Sequence, residues 1–125
     1  MERLIITPRV NWQTRVESLG LSYHTDNGEI YWDERVCYRF SADEIHELEH
    51  TTNEIEKMCL TLVDHVIQNG RFREFTIPEH AWPLITESWQ RGDKALYGRF
   101  DFSYHSNQPP KLLEYNADTP TAILE

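Results

Sequence analysis

The chain has 125 residues, with 21 acidic and 12 basic side chains and a formal net charge of −9. At this length one domain with its own core is expected, and 39% hydrophobic against 26% charged residues excludes a disordered tail or a fibre. The acidic balance repels a phosphate backbone, which argues against nonspecific nucleic-acid binding and leaves a metal cation or a polyamine as suitable partners. No apolar run approaches the ~20 residues of a membrane span. Met1 to Arg9 lacks the apolar stretch of a signal peptide. Cys37 and Cys59 form no disulfide framework, which points to the cytoplasm.

In chain order, residues 11–19 predict a short helix with Trp12, Val16 and Leu19 on one side, ended by Gly20. Thr25-Asp-Asn-Gly28 reads as a turn, and Glu29 to Trp32 as a short extended piece. The strongest helix starts at Ser41, where Ser41-Ala-Asp-Glu44 is a capping box. Ile45, Leu48, Ile55, Cys59, Leu62 and Val66 recur at helical spacing, and Asn69-Gly70 closes the run. A further helix is expected from Pro78 to about Gln90, with Pro83 absorbed as a kink. After Gly92 the pattern alternates. Ala95 to Tyr104 and Lys111 to Tyr115 predict a β-hairpin around His105-Ser-Asn-Gln-Pro-Pro110. The fold class is therefore mixed α/β, with helices first and strands last. The closing Thr119-Pro-Thr-Ala-Ile-Leu-Glu125 reads as a helix start with no stop signal, as expected for the leading piece of something longer.

One motif invites a wrong conclusion. His46-Glu-Leu-Glu-His50 matches the zinc-protease pattern H-E-x-x-H. At 100° per residue, however, His46 and His50 lie roughly 160° from the centre of the apolar stripe, on the solvated face. Surface histidines on an acidic helix are the better reading. The four tryptophans and Cys59 read as packing residues.

The hairpin carries more chemistry. Alternation puts Arg99, Asp101 and Ser103 on one face and Phe100, Phe102 and Tyr104 on the other. Glu114 and Asn116 share a face of the second strand, with Leu113 and Tyr115 opposite. The register that joins the aromatic faces sets Asp101 opposite Glu114 and Arg99 opposite Asn116. Two facing carboxylates destabilise a strand pair unless something positive lies between them. Arg99 is one candidate, as in a surface salt-bridge cluster. A divalent cation is the other, since two carboxylates and an amide oxygen suit Mg²⁺. Gly98 inside this strand marks a bulge or a close backbone approach.

Tyr97-Gly-Arg-Phe-Asp-Phe-Ser103 followed by Leu113-Glu-Tyr-Asn-Ala-Asp-Thr-Pro-Thr121 resembles the glutathionylspermidine synthase family of ATP-grasp carbon–nitrogen ligases. Trp32-Asp-Glu, Tyr38-Arg-Phe and the long helix extend the resemblance more loosely over the whole chain, as the N-terminal region leading into an ATP-grasp part. The resemblance implies phosphorylation of a carboxylate by ATP and attack of an amine on the acyl phosphate. Small-molecule acid and amine substrates of the glutathione and spermidine type follow, with ATP and Mg²⁺ as cofactors. It implies Arg99 near the reacting phosphoryl group, Asp101, Glu114 and Asn116 as Mg²⁺ and nucleotide ligands, and Thr119 near the acid substrate. Family lysines that clamp ATP lie beyond residue 125, and Lys57, Lys94 and Lys111 occupy no phosphate-binding loop. The chain by itself is therefore expected not to turn over. The rival expectation is a non-catalytic interaction domain that retains a cation site.

Overall fold

The computed structural model describes residues 1–117. The helix expected from Thr119 lies outside the described residues, as do Asp118 and Thr119 themselves. The protein is mixed α/β, with three α-helices, two short 3₁₀ helices and three two-stranded antiparallel sheets among the described residues. The described residues divide into two units, residues 1–47 together with those from 97 onward, and residues 48–96.

In the first unit, β1 (Glu2–Ile5) pairs antiparallel with β4 (Val36–Arg39), Leu4 facing Cys37. This sheet was not anticipated, so strands do not wait for the end of the chain. Its strands are four residues each, too short for a clear period-two pattern. Between them lie helix α1 (Trp12–Ser18) and a small hairpin, β2 (Thr25–Asp26) and β3 (Glu29–Ile30). The β2–β3 turn is Asn27-Gly28, with φ of 47° and 86°. Positive φ at both central residues is what a tight hairpin of right-twisted strands demands, and Asn-Gly supplies it at least cost. Val16 and Leu21 are buried here, Leu21 almost completely, and the Trp12 ring meets His24 edge-on at 5.2 Å.

Glu34 is the buried charge of this unit. Arg9 grips it with two guanidinium nitrogens, Nε donating to Oε2 at 2.9 Å, and Trp32 Nε1 donates to Oε1 at 2.9 Å. These hydrogen bonds overcome the burial penalty and hold the Glu34 carboxyl at about 2. Asp33, bonded by the Arg35 side chain and backbone, also falls to about 2. Both groups are depressed on folding. Their stabilisation is therefore complete above the unfolded-state range of about 4 and is lost as pH falls through about 2. Denaturation midpoints should hold level from pH 7 to about pH 5 and then fall steeply. Replacing Glu34 with Gln should flatten that fall, measured by urea titration across the same range.

Helix α2 (Ala42–Gln68) is 27 residues long, about 40 Å. The capping box forms as expected: Glu44 N–H donates to Ser41 Oγ at 3.2 Å, and Ser41 N–H donates to Glu44 Oε2 at 2.8 Å. The Met1 ammonium also donates to the Glu44 carboxylate and, at 2.8 Å, to Ser106 Oγ. Those bonds, the ammonium first, hold Glu44 at about 2. Ser41→Ala should cost about 1 kcal/mol of stability, read as a lower urea midpoint with an unchanged slope.

The second unit contains most of α2, 3₁₀ turns at Arg71–Phe75 and Glu79–Ala81, and helix α3 (Trp82–Arg91). The expected single helix from Pro78 is thus a 3₁₀ turn followed by a fresh α-helix. Pro83 stands in the first turn of α3, where a missing N–H costs nothing. Val66 and Phe72 are buried, and Phe72 stacks on Trp82 at 5.4 Å. Trp89 Nε1 ties α3 to α2 by donating to Asp64 at 2.9 Å. His46 and His50 are exposed on α2, the face their helical angles assigned them.

A candidate cation site on the β5–β6 hairpin

The first unit ends in the hairpin of β5 (Arg99–His105) and β6 (Gln108–Asn116). Its turn is tighter than expected, only Ser106-Asn107, and β6 starts at Gln108 through Pro109 and Pro110. Proline donates no ladder hydrogen bond, and the register is irregular between Ser103 and His105, opposite those prolines.

At the other end the register is the one the aromatic faces demanded. Arg99 faces Asn116, Phe100 faces Tyr115, and Asp101 faces Glu114. Phe100 and Tyr115 stack at 3.9 Å with planes 19° apart, and Phe100 lies 6.1 Å from Phe102. The opposite face therefore carries four polar side chains at the corners of two adjacent cross-strand pairs. Directly paired residues bring their Cβ atoms within about 5.5 Å, close enough for the side-chain oxygens to share one cation.

A bulge follows immediately. The register shifts between Asp101 and Phe102, so that Phe102 faces Leu112 and Leu113 becomes the extra residue, 69% exposed. The expected placement of Leu113 on the aromatic face is thereby corrected. A bulge bends its strand and re-aims the neighbouring side chains, and here the neighbour is Glu114.

Arg99 takes up Asp101 directly, Nε donating to Oδ1 at 2.8 Å and Nη2 to Oδ2 at 3.3 Å. Both side chains are roughly two-fifths exposed, so water screens the pair and it contributes little to stability. Glu114 is exposed across from it. Asn116 is half-buried, and its Nδ2 is buried with no hydrogen-bond partner. Such a donor is expensive to leave unmet. It suits a place completed by an acceptor such as a phosphate oxygen.

The donor set also fits Mg²⁺. Asp101, Glu114 and the Asn116 amide oxygen are all hard oxygen ligands. Mg²⁺ takes one or two carboxylates and fills its shell with waters and phosphate oxygens. Among the described residues no group of three or more His, Cys, Asp or Glu could hold a metal. A cation here would therefore rest on two carboxylates and an amide, with the remaining ligands from outside the protein.

The whole-chain comparison decides the family. Residues 3–125 match the family described as glutathionylspermidine synthase preATP-grasp. The chain belongs to this family. Two relatives agree. A Haemophilus influenzae protein named "Putative acid--amine ligase" is 40% identical over 111 residues, which cover 86% of this chain and 28% of that protein. Trypanothione synthetase of Crithidia fasciculata is 43% identical over 56 residues, 44% of this chain and 9% of that protein. The chain thus spans little more than a quarter of the first relative and a tenth or less of the second. In this preATP-grasp domain no helix among the described residues is long and apolar enough to cross a membrane.

The hairpin brings together four of the five residues singled out in the sequence, Arg99, Asp101, Glu114 and Asn116. Thr119 lies outside the described residues. Sequence reasoning missed two features. The bulge was signalled by the Leu112-Leu113 doublet, which breaks the alternation. The partner that closes on Gly98 is Tyr115: a Cβ at position 98 would lie 2.8 Å from Cε2 and 2.9 Å from Oη of that ring.

Proposed function

We propose that residues 1–125 are the leading region of a longer ATP- and Mg²⁺-dependent acid–amine ligase, joining a glutathione-like carboxylate to a spermidine-like amine through an acyl phosphate. The observation that carries this reading is the pairing of Arg99 with Asn116 and Asp101 with Glu114 in a chain of this family. The relatives' names and the chain's share of their length support the rest.

In this reading Asp101, Glu114 and Asn116 would hold Mg²⁺ through their side-chain oxygens, near the nucleotide phosphates. Bound Mg²⁺ would supply charge neutralisation at the phosphoryl group. Arg99 steadies the negative charge that develops on the transferring phosphoryl and on the tetrahedral oxyanion, since the planar guanidinium fork matches a pair of phosphate oxygens. The Arg99–Asp101 pair orients the arginine while the second carboxylate faces the cation. Catalysis is then positional and electrostatic, and no side-chain nucleophile is required. Thr119 would lie near the acid substrate. The cytoplasm suits the two thiols and the substrates.

The Arg99–Asp101 pair also favours a second reading, a salt-bridged interaction domain without catalysis, because it neutralises Asp101 with no cation. ADP release from ATP separates the two. A ligase releases ADP turnover after turnover only when acid, amine and Mg²⁺ are all present. ADP formation indifferent to the amine, or none with the whole polypeptide, would overturn the ligase reading.

A further inference from the structure

We infer that the Tyr115 ring, seated over Gly98, is the positioning element that holds Glu114 and Asn116 across from Asp101 and Arg99, and thereby sets the hairpin's affinity for a divalent cation. This inference rests on the cation-site reading above.

Tyr115 lies between two of the candidate ligands and points to the opposite face of the strand. Its backbone carries both of them, so a movement of its ring is passed to each. The ring is fixed at two points. It stacks on Phe100, directly across the ladder, at 3.9 Å. Its far end lies over Gly98, where a Cβ would stand 2.8 Å from Cε2, 2.9 Å from Oη and 3.2 Å from Cζ. With two ring carbons and the phenolic oxygen that close, a side chain at position 98 would force the ring to move. The ring cannot swing aside without giving up the Phe100 stack.

The register breaks directly after Asp101, and a bulge disrupts the local ladder. Glu114 therefore takes its place from the Tyr115 side. A regular strand pair would need no glycine at 98 and would spread this task over several residues. Here one ring over one bare backbone position carries it. Residues that orient a metal ligand without touching the metal typically change affinity by about 10–100-fold.

The test uses Mn²⁺ binding to the chain, followed by electron paramagnetic resonance with Mg²⁺ as competitor, beside a thermal melt of every variant. Gly98→Ala should weaken Mn²⁺ binding about tenfold or more and lower the melting temperature. Gly92→Ala, at φ +67° at the end of α3, should lower the melting temperature and leave Mn²⁺ binding unchanged. Tyr115→Leu should weaken binding to a similar extent. Gly98→Ala added to Tyr115→Leu should bring no further loss, because the ring it strikes is gone. Wild-type affinity in Gly98→Ala, or losses that multiply in the double variant, would overturn the positioning role. The cation site itself is tested by Asp101→Ala. Equal Mn²⁺ binding by that variant and the wild type, or none by either, would overturn the site and this inference with it. Loss in Asp101→Ala with none in Gly98→Ala would overturn the inference alone.

Discussion

In the whole polypeptide, Asp101→Ala and Glu114→Ala should each lower amine-dependent ADP release at least about a thousandfold while leaving the fold intact. The two carboxylates face each other across the hairpin, and Asp101 is 38% exposed. Neither supports a core. Removing one ends the charge repulsion between the strands and removes half of the carboxylate charge available to Mg²⁺. Stability should therefore change little, or rise for Glu114→Ala, since facing like charges destabilise a strand pair. Asp101→Ala also removes the hydrogen bonds that Arg99 gives to Asp101, but water screens a pair this exposed. Glu114→Gln should fall between, keeping an oxygen ligand and losing its charge. Steady-state ADP release with saturating acid and amine, beside a urea melt, separates chemistry from folding. Wild-type turnover in either alanine variant would contradict the assignment.

The largest stability effect is expected from Phe72→Ala, about 4 kcal/mol. Phe72 is 5% exposed, and its ring stacks on Trp82 at 5.4 Å. Trp82 is itself anchored by Nε1 donating to the Ile77 carbonyl at 2.9 Å, and Ile77 N–H donates back to the Phe72 carbonyl at 3.2 Å. The stack thus closes a small ring of interactions in a unit whose buried apolar side chains, among the described residues, are Val66 and Phe72. Few alternatives exist to fill the void. Phe72→Leu should cost clearly less, since most of the buried volume is retained. Tryptophan fluorescence through a urea titration reads both. A loss under about 1 kcal/mol for the alanine variant would mean that the stack is dispensable.

The sequence carried the helices and the site further than the small sheets. Ser41 and Glu44 specify α2 by a local reciprocal cap, which needs no tertiary partner to be recognised. The hairpin register was legible because Phe100, Phe102 and Tyr115 leave only one face to bury, and a single-residue slip would turn them to water. That constraint reached as far as Asp101 and failed at Leu113, where an inserted residue obeys no periodicity. The β1–β4 pair stayed hidden because its partners are more than thirty residues apart and only four residues long. The start of α3 was placed too early, at Pro78, because the 3₁₀ turn before it leaves little pattern. Gly98 was read as a bulge or a close backbone approach, and choosing the second and naming Tyr115 as the approaching ring required the stacked geometry.

The central claim is that Asp101, Glu114 and Asn116 form one cation site. Backbone amide shifts of the ¹⁵N-labelled protein during Mg²⁺ titration test it most directly. The account predicts saturable shifts confined to residues 99–101 and 114–116, abolished in Asp101→Ala. Shifts spread evenly over the acidic surface, or centred on His46 and His50, would contradict it.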